Sequence, residues 1–219
     1  MTVPTLYNVS DIDLYNIFIN FITDNVTDIR SSRKNKRWVF DQFPHEDSNY
    51  PEVVVEIADS SIVSGSAAQI LNIEKDASGN VTKEVYFMQE ECPVKLRILT
   101  LKDTDNGSKT TNKNRFEVTI NGTTRYLRDK AVNLYLNKKI KDLFFFKYVD
   151  LIKNYKYQNY SIIEKVRVET NQRIYEGNER TWVTDVIVNI KFNNLYIKEY
   201  DGTGELINEY SLVLNLETS

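Results

Sequence analysis

The residues best suited to catalysis are few in this chain of 219 residues, which contains one histidine, His45, and one cysteine, Cys92. A thiol nucleophile would need His45 as its base, and a metal site would need several more ligands converging on one point. The sequence has neither a G-x-S-x-G motif nor a glycine-rich phosphate loop. We therefore predict no catalytic site, no cofactor and no metal, with His45 in a loop and Cys92 as a half-buried structural thiol.

Four residues form the one arrangement that could imitate an enzyme centre. Glu52 and Glu56 lie four positions apart in a predicted strand, so their side chains share a face. Together with Asp41 and Lys95 they could hold Mg²⁺ and act as a metal-dependent nuclease. A solvated or interface face of a strand produces the same pattern, and the spacing is not diagnostic. We favour the second interpretation and keep the nuclease as an alternative function.

A basic cluster is the most prominent charge feature of the sequence. It consists of Arg30, Arg33, Lys34, Lys36 and Arg37. A solvated helix end explains it, because cations are favoured at the negative end of the helix dipole, and contact with DNA phosphates or an acidic partner is the alternative. The net charge of -3 excludes strong polyanion binding by the molecule as a whole. Glu46 and Asp47 could pair with the cluster between subunits and set their register.

Apolar residues at helical spacing predict two amphipathic helices, Asp11–Arg30 and Asp129–Phe144. Ser10 with Asp13 is a weak form of the capping box, and Asp129 is interpreted as the N-cap of the second helix. Elsewhere, apolar residues alternate with polar ones in short runs, which is typical of half-buried strands. The predicted strands are 38–40, 52–57, 68–75, 81–89, 94–101, 116–120, 126–127, 160–168, 182–192, 195–200 and 206–216.

Turn residues join several of these strands into hairpins. Asn121-Gly122 is the strongest signal, because a type I′ turn needs positive φ at both positions, and Gly202 and Gly204 mark a second turn. The chain lacks βαβ alternation, so we predict an α+β fold in which a mainly antiparallel sheet is packed by two helices and carries extended β-hairpin arms. We expect one domain, 1–219, with a hairpin insertion at about 104–128 and a C-terminal hairpin at about 195–216.

The same periodicities predict which side chains form the core. We expect the following residues to be buried: Ile19, Ile22, Val26, Val54, Ile98, Leu136, Ile140, Val186, Val188 and Ile190. The N-terminal residues show neither the basic segment nor the apolar segment of a secretory signal. No apolar run approaches the roughly 20 residues that a membrane helix needs. We therefore expect synthesis in the cytoplasm and no membrane partner.

The order of the elements resembles that of the tail terminator, or tail-completion and head–tail joining, proteins of tailed bacteriophages and archaeal tailed viruses. An amphipathic helix and the basic connector lead into Trp38-Val39-Phe40-Asp41-Gln42-Phe43-Pro44, and then into Tyr50-Pro51-Glu52-Val53-Val54-Val55. A β-hairpin, a strand, the second helix and late Val/Ile-rich strands follow. The resemblance implies helices on one side of a sheet, no catalytic residues, and a ring of subunits, usually a hexamer, that caps the tail tube and joins it to the neck.

The resemblance also implies a set of partners. These are further copies of the chain, tail tube protein and neck or connector proteins, with non-specific proximity to DNA in the lumen of the ring. The implied location is the virion, in the tail or neck, after synthesis in the host cytoplasm. If the protein is a structural virion protein of another kind, the alternative is a different component of the neck or baseplate. Because the hairpin at 115–127 exceeds the compact family pattern, we include Asn121 and Gly122 at its tip with the basic cluster, Glu46 and Asp47 as candidate interface residues.

Overall fold

The computed structural model describes residues 11–29, 37–41, 50–59, 61–62, 69–102, 116–154, 156–157, 160–161, 163–169, 174–178, 181–201, 203 and 205–211. The helices in these residues are α1 (Asp11–Asn25), α2 (Lys130–Phe146) and α3 (Tyr148–Asn154). The strands are β1 (Val39–Phe40), β2 (Glu52–Ile57), β3 (Ser61–Ile62), β4 (Gln69–Lys75), β5 (Val81–Leu101), β6 (Phe116–Ile120), β7 (Thr123–Leu127), β8 (Lys156–Tyr157), β9 (Tyr160–Ser161), β10 (Ile163–Glu169), β11 (Tyr175–Asn178), β12 (Thr181–Tyr200) and β13 (Leu206–Ser211).

Two long antiparallel strands form the backbone of the molecule. β5 has 21 residues and β12 has 20, and they pair without a register shift from Lys83 opposite Glu199 to Leu101 opposite Thr181. At about 3.3 Å per residue, this ribbon is about 60 Å long. All other strands of the main sheet flank one half of it or the other. The ribbon therefore divides the protein into two ends.

At one end, the ribbon is flanked by β2 on the β5 side and by β10 and β11 on the β12 side. β1 extends this part of the sheet by pairing in parallel with β2, with Val39 opposite Val53. We call this end, with its helices, the body. At the other end, β4 pairs with β5 and β13 pairs with β12. We call this four-stranded part, formed by β4, residues 81–91, residues 191–200 and β13, the distal arm.

The three helices cover one face of the body. Side chains alternate along a strand, so Cys92, Val94, Leu96 and Ile98 of β5 point to the same face. All four are buried in the main core cluster, together with the apolar side of α1 and α2. The rings of Phe18 in α1 and Phe144 in α2 stack with centroids 5.5 Å apart, which joins the two helices. We call this the helix-side face of the sheet. A smaller cluster of Val54, Leu99 and Val183 lies on the opposite face.

The α+β fold class and the mainly antiparallel sheet with packed helices and hairpins are confirmed, and all ten residues predicted to be buried are buried. Several elements differ from the prediction. The helix predicted to end at Arg30 ends at Asn25, and the short helix α3 was not predicted. The predicted strands 81–89 and 94–101 form one strand, as do 182–192 and 195–200.

The position of Pro93 explains why the predicted strands 81–89 and 94–101 form one continuous strand. A proline interrupts a central strand because it has no N–H to donate to a neighbour. The carbonyl of Pro93 accepts from Ala58 N at 3.1 Å, so its nitrogen also faces the side of β2 and β3. There, β3 pairs only as far as Glu91 and β2 pairs from Val94. The backbone N–H that Pro93 lacks would lie in the gap between β3 and β2, where no partner strand needs a hydrogen bond from it.

Asp129 occupies the N-cap position of α2 as predicted, but the expected side-chain capping hydrogen bond is absent. Asp129 precedes α2 but makes no side-chain hydrogen bond to the helix, and its φ is 53°. Its carboxylate instead accepts a hydrogen bond from Nε1 of Trp182. The backbone carbonyl of Asp129 accepts from Val132 N at 3.1 Å, which closes the first turn of the helix. Tertiary contact with β12 thus replaces the local cap.

Candidate functional site

The predicted basic cluster is only partly visible, because Arg30, Arg33, Lys34 and Lys36 lie outside the described residues, as do Glu46 and Asp47. Arg37 is described, and its contacts are local. Its Nε donates to the Val39 carbonyl at 2.7 Å, its guanidinium lies 3.9 Å from Asp41, and the same group stacks over Phe40 at 5.8 Å. Arg37 thus anchors β1, and the intersubunit pairing with Glu46 and Asp47 stays a prediction.

The predicted hairpin around Asn121-Gly122 is present. Asn121 has φ 50° and Gly122 has φ 75°, the positive values that a type I′ turn requires. The turn joins β6 and β7, which pair only with each other in the described residues. Val118, in the middle of β6, is buried, and Phe116 and Leu127 at the base of the hairpin pack against the main core. The hairpin is therefore anchored at its base and exposed at its tip, where Asn121 and Gly122 stay candidate interface residues.

Of the four nuclease residues, the structure brings Glu56 and Lys95 into contact and does not assemble all four at one point. Glu52 and Glu56 share the face opposite the helices, as predicted, but four residues of strand separate their Cα atoms by about 13 Å. Glu52 is fully buried. Glu56 lies 3.1 Å from Lys95 and 2.9 Å from Arg97, and Asp41 lies beside Arg37. Within the described ranges, no three His, Cys, Asp or Glu side chains cluster as metal ligands.

Arg97 also pairs with Asp185 at 2.9 Å, so the ion pairs of Glu56, Arg97 and Asp185 link β2, β5 and β12 on one face of the sheet.

Cys92 is fully buried rather than half-buried, and its Sγ donates to the Ala58 carbonyl at 2.9 Å. His45 lies outside the described residues. These contacts account for the charged and thiol groups by packing and pairing within the chain.

The distal arm carries a polar and aromatic cluster that the sequence did not predict. The hydroxyls of Tyr86 and Tyr200 donate to one carboxylate oxygen of Glu84, at 2.5 and 2.6 Å. The Tyr200 and Tyr86 hydroxyls lower the pKa of Glu84 below its ordinary value, and nearby Lys198 acts in the same direction. Glu84 therefore keeps its negative charge in a setting of tyrosine rings. Nearby, burial and then the charge of Glu90 raise the pKa of Tyr196.

Register places these residues on the helix-side face of the arm. The pairs Tyr86–Tyr196 and Glu84–Lys198 continue the even-numbered row of β5 that contains Cys92 and Val94. Ile70 and Ile73 of β4 pair with Tyr86 and Glu84, and Leu206 of β13 pairs with Tyr200. These three aliphatic side chains are 52%, 42% and 49% exposed. The helix-side face of the arm is thus apolar and aromatic, and it carries the carboxylates of Glu84 and Glu90 beside the ammonium group of Lys198.

Helix α2 presents a second unusual surface. Its buried side includes Val132, Leu136 and Ile140, which pack on the sheet. Positions that follow one another at intervals of four, four, three and four residues form a stripe along a helix, and in α2 one such stripe runs beside the buried side and turns toward solvent. We call these residues the outer stripe, and they are Lys130, Leu134, Lys138, Lys141 and Phe145. Leu134 is 56% exposed and Phe145 is 66% exposed, so the stripe alternates lysine with exposed apolar side chains.

A buried hydrogen-bond network fixes the N-terminal half of α2 on the ribbon. Asn133 is fully buried, and its Nδ2 donates to the carbonyls of Ile98 at 3.0 Å and Trp182 at 3.2 Å. Its Oδ1 accepts from the Thr184 hydroxyl. The ammonium groups of Lys102 and Lys130 lie 4.8 and 5.0 Å from the centre of the Trp182 ring. These contacts place the start of α2 at the end of the ribbon that lies opposite the arm.

A small cavity next to this network is lined by Thr100, Asp129, Phe116 and Tyr50 among others. Its volume of about 10 Å³ fits roughly one water molecule. The hydroxyl of Thr100, a buried residue, has no hydrogen-bond partner within the described part of the chain. A single water at this point would satisfy that group, and the cavity is too small for a larger ligand.

Charge is distributed unevenly between the two ends of the ribbon. Segments 69–91 and 191–211, which build the arm, contain nine Asp or Glu and four Lys. Segment 116–154, which contains the β6–β7 hairpin, α2 and α3, has eight Lys or Arg and four Asp or Glu. The chain as a whole is nearly balanced, at -3. Opposite charges are therefore concentrated on separate surfaces of one molecule.

Compared with known proteins, the chain matches no family model, and no curated protein is significantly similar to it. Among the described residues, no helix combines the length and apolar character needed to cross a membrane.

The sequence contained weak signals for the helix-side face of the arm and for the outer stripe of α2. Alternation in 81–89 and 195–200 predicted the arm strands, and the spacing of Leu134 and Phe145 places them off the buried side of α2. Only the pairing register shows which face of the arm each residue occupies.

Proposed function

We propose that this protein is a structural subunit that assembles with copies of itself into a ring, and that the ring caps the tail tube of a tailed virus and joins it to the neck. The observation that carries the proposal is the division of the described residues into a helix-covered body and a four-stranded arm on which the helices show no comparable packing. A domain that worked alone would gain little from an arm that extends its sheet beyond the helices. A subunit gains a reach of about 33 Å from the 11 residues of 81–91.

The edges of the arm support assembly as well. In the described residues, β4 pairs only with β5 and β13 pairs only with β12, so each leaves one edge without a described partner strand. Free edge N–H and C=O groups favour pairing with another chain. The ring form and the position at the tail follow from the resemblance in element order. The sheet with helices on one face agrees with what that resemblance implies for the fold.

The test is to locate the protein in virus particles. Particles or lysates that contain tail tubes are imaged by cryo-electron microscopy, with an antibody against the purified protein as an independent label. We expect the label at one end of the tube and a ring of subunits there. Absence of the protein from particles, or its presence without rotational symmetry, would refute the proposal. A label at the baseplate or within the neck alone would favour the other structural components.

The metal-dependent nuclease is tested separately. The purified protein is incubated with DNA and Mg²⁺, beside the variant Glu56→Gln. We expect no cleavage by either protein, because Lys95 and Arg97 already occupy the Glu56 carboxylate. Cleavage by the wild-type protein that the variant loses would restore the enzyme as the better explanation.

A further inference from the structure

We propose that the helix-side face of the distal arm binds the outer stripe of α2 from a second copy of this chain. The inference rests on the proposed function in one respect, that both require self-assembly, and it names the surfaces involved. It begins from the face of the sheet that the helices cover in the body. In the described residues the helices pack mainly on β1, β2, β5, β10 and β12, and they show no comparable packing on β4 or β13.

The open face of the arm has the composition of a contact surface. Tyrosine is enriched in the core of protein interfaces, and Tyr86, Tyr196 and Tyr200 lie on this face. Ile70, Ile73 and Leu206 add three aliphatic side chains that are about half exposed. The opposite face of the arm differs, because Val85 and Ile197, which face each other across the ribbon, are almost completely buried there. The unfilled apolar surface of the arm is therefore on the helix side.

A helix is the element that this face accommodates in the body, and α2 fits the arm in length. Its 17 residues span about 25 Å, residues 81–91 of β5 span about 33 Å, and the flanking strands β4 and β13, of 7 and 6 residues, span about 20 Å or less. The outer stripe offers Leu134 and Phe145 to the aliphatic and tyrosine side chains. Packing the stripe on the arm would continue the helix-on-sheet layering of the body across the boundary between two molecules.

Charge complementarity selects a second copy of this chain as the occupant. The stripe carries Lys130, Lys138 and Lys141, of which Lys138 pairs with Asp142 at 2.7 Å. The arm face carries the carboxylates of Glu84 and Glu90 beside the ammonium group of Lys198. The tyrosine hydroxyls that lower the pKa of Glu84 keep this carboxylate charged. A basic, partly apolar stripe and an acidic, partly apolar face are thus present in one sequence. Such pairing steers two molecules together and fixes their register.

The two surfaces cannot meet within one molecule. α2 already covers the body with its buried side, and Leu134 and Phe145 of the outer stripe are exposed to solvent. The N-terminus of α2 is fixed by Asn133 near Ile98 and Trp182, at the other end of the ribbon from the arm. The contact is therefore between molecules. Each subunit carries both halves of it, so it can propagate head-to-tail into a ring or close as a pair.

Disulfide trapping tests the contact and detects weak association. The variant Ile73→Cys/Leu134→Cys places one thiol on each surface, and the native Cys92 stays buried in every sample. The control Ala77→Cys/Phe146→Cys carries thiols at the exposed hairpin tip and on the flank of α2, where Phe146 is 73% exposed. We expect reversible cross-links in the first variant that exceed those of the control and of each single substitution. Cross-linking no higher than in the control overturns the proposal.

Mixing of two defective variants gives an independent readout in sedimentation velocity experiments. Ile73→Asp damages only the arm, and Leu134→Asp damages only the stripe. Each alone should self-associate at least about tenfold more weakly than the wild type, because an interface anchor typically contributes that much to affinity. A mixture should form a complex between one copy of each variant, since the intact arm of one meets the intact stripe of the other. Sedimentation of the mixture as two independent components contradicts the proposal.

The size of the trapped species separates this inference from the proposed function. Trimers and higher species support both the contact and a ring. Dimers alone support the contact and oppose the ring. A ring in virus particles without cross-linking of Ile73→Cys/Leu134→Cys leaves the proposed function standing and overturns this contact.

Discussion

The buried amide of Asn133 allows a quantitative test of how α2 is fixed on the sheet. Its side chain makes three hydrogen bonds, two from Nδ2 to backbone carbonyls and one at Oδ1 from Thr184. Each such bond contributes about 1 kcal/mol net, and a partner left unsatisfied in the interior costs about 1–3 kcal/mol. We therefore expect Asn133→Leu to lower the free energy of unfolding by about 3 kcal/mol or more.

Asn137, one turn later on the same helix, is the matched control. It is also buried, but its Nδ2 has no hydrogen-bond partner within the described part of the chain. Asn137→Leu removes a buried amide nitrogen that has no described partner, so this variant should be about as stable as the wild type or more stable. The same substitution at two neighbouring sites thus separates the hydrogen-bond network from the general effect of replacing Asn by Leu.

Urea unfolding monitored by circular dichroism, at a protein concentration low enough to avoid assembly, provides the assay. With a slope of about 3 kcal/mol/M, a loss of about 3 kcal/mol moves the midpoint down by about 1 M. The slope itself should not change, because both variants bury the same chain on folding. If Asn133→Leu stays within about 0.5 kcal/mol of the wild type, or if Asn137→Leu is equally destabilised, the assigned role of the network is wrong.

Three further predictions concern single side chains. Ile22→Asp places a charge in the fully buried side of α1 and should unfold the protein at a cost of several kcal/mol, whereas Thr23→Asp on the exposed side should not, as circular dichroism will show. The folded-state pKa of Glu84 is lowered from 4.5, so its hydrogen bonds stabilise the protein above that pH, and this contribution is lost as pH falls through the lower folded value. The stability difference between wild type and Glu84→Gln should therefore shrink in urea titrations below pH 4.5, and a difference that is constant down to about pH 3 would contradict the assignment. The buried thiol of Cys92 should react with a thiol reagent far more slowly in the native protein than in urea, and equal rates would show that the site is open.

Several features of the fold were determined by the sequence alone. Apolar spacing in α1 and α2 predicted both helices and their buried sides, because a helix that packs on a sheet must present one continuous apolar side. Asn121-Gly122 predicted a tight hairpin, because few residues adopt positive φ at two successive positions. The alternation in 182–192 predicted a central strand with Val186, Val188 and Ile190 buried. Each of these depends on local geometry, which neighbouring residues in the chain are sufficient to specify.

Other features were decided only by the tertiary structure. Whether 81–89 and 94–101 are one strand depends on β12, which pairs with both, and on the position of Pro93 between β3 and β2. Asp129 has the residue type of an N-cap, yet its carboxylate accepts from Trp182, 53 residues away in sequence. The candidate surfaces depend on the same long-range pairing, because a shift of one residue in register would move Tyr86 and Glu84 to the other face of the arm. The sequence specifies the alternation along each strand, and the partner strands decide which face meets helices and which is left open for another molecule.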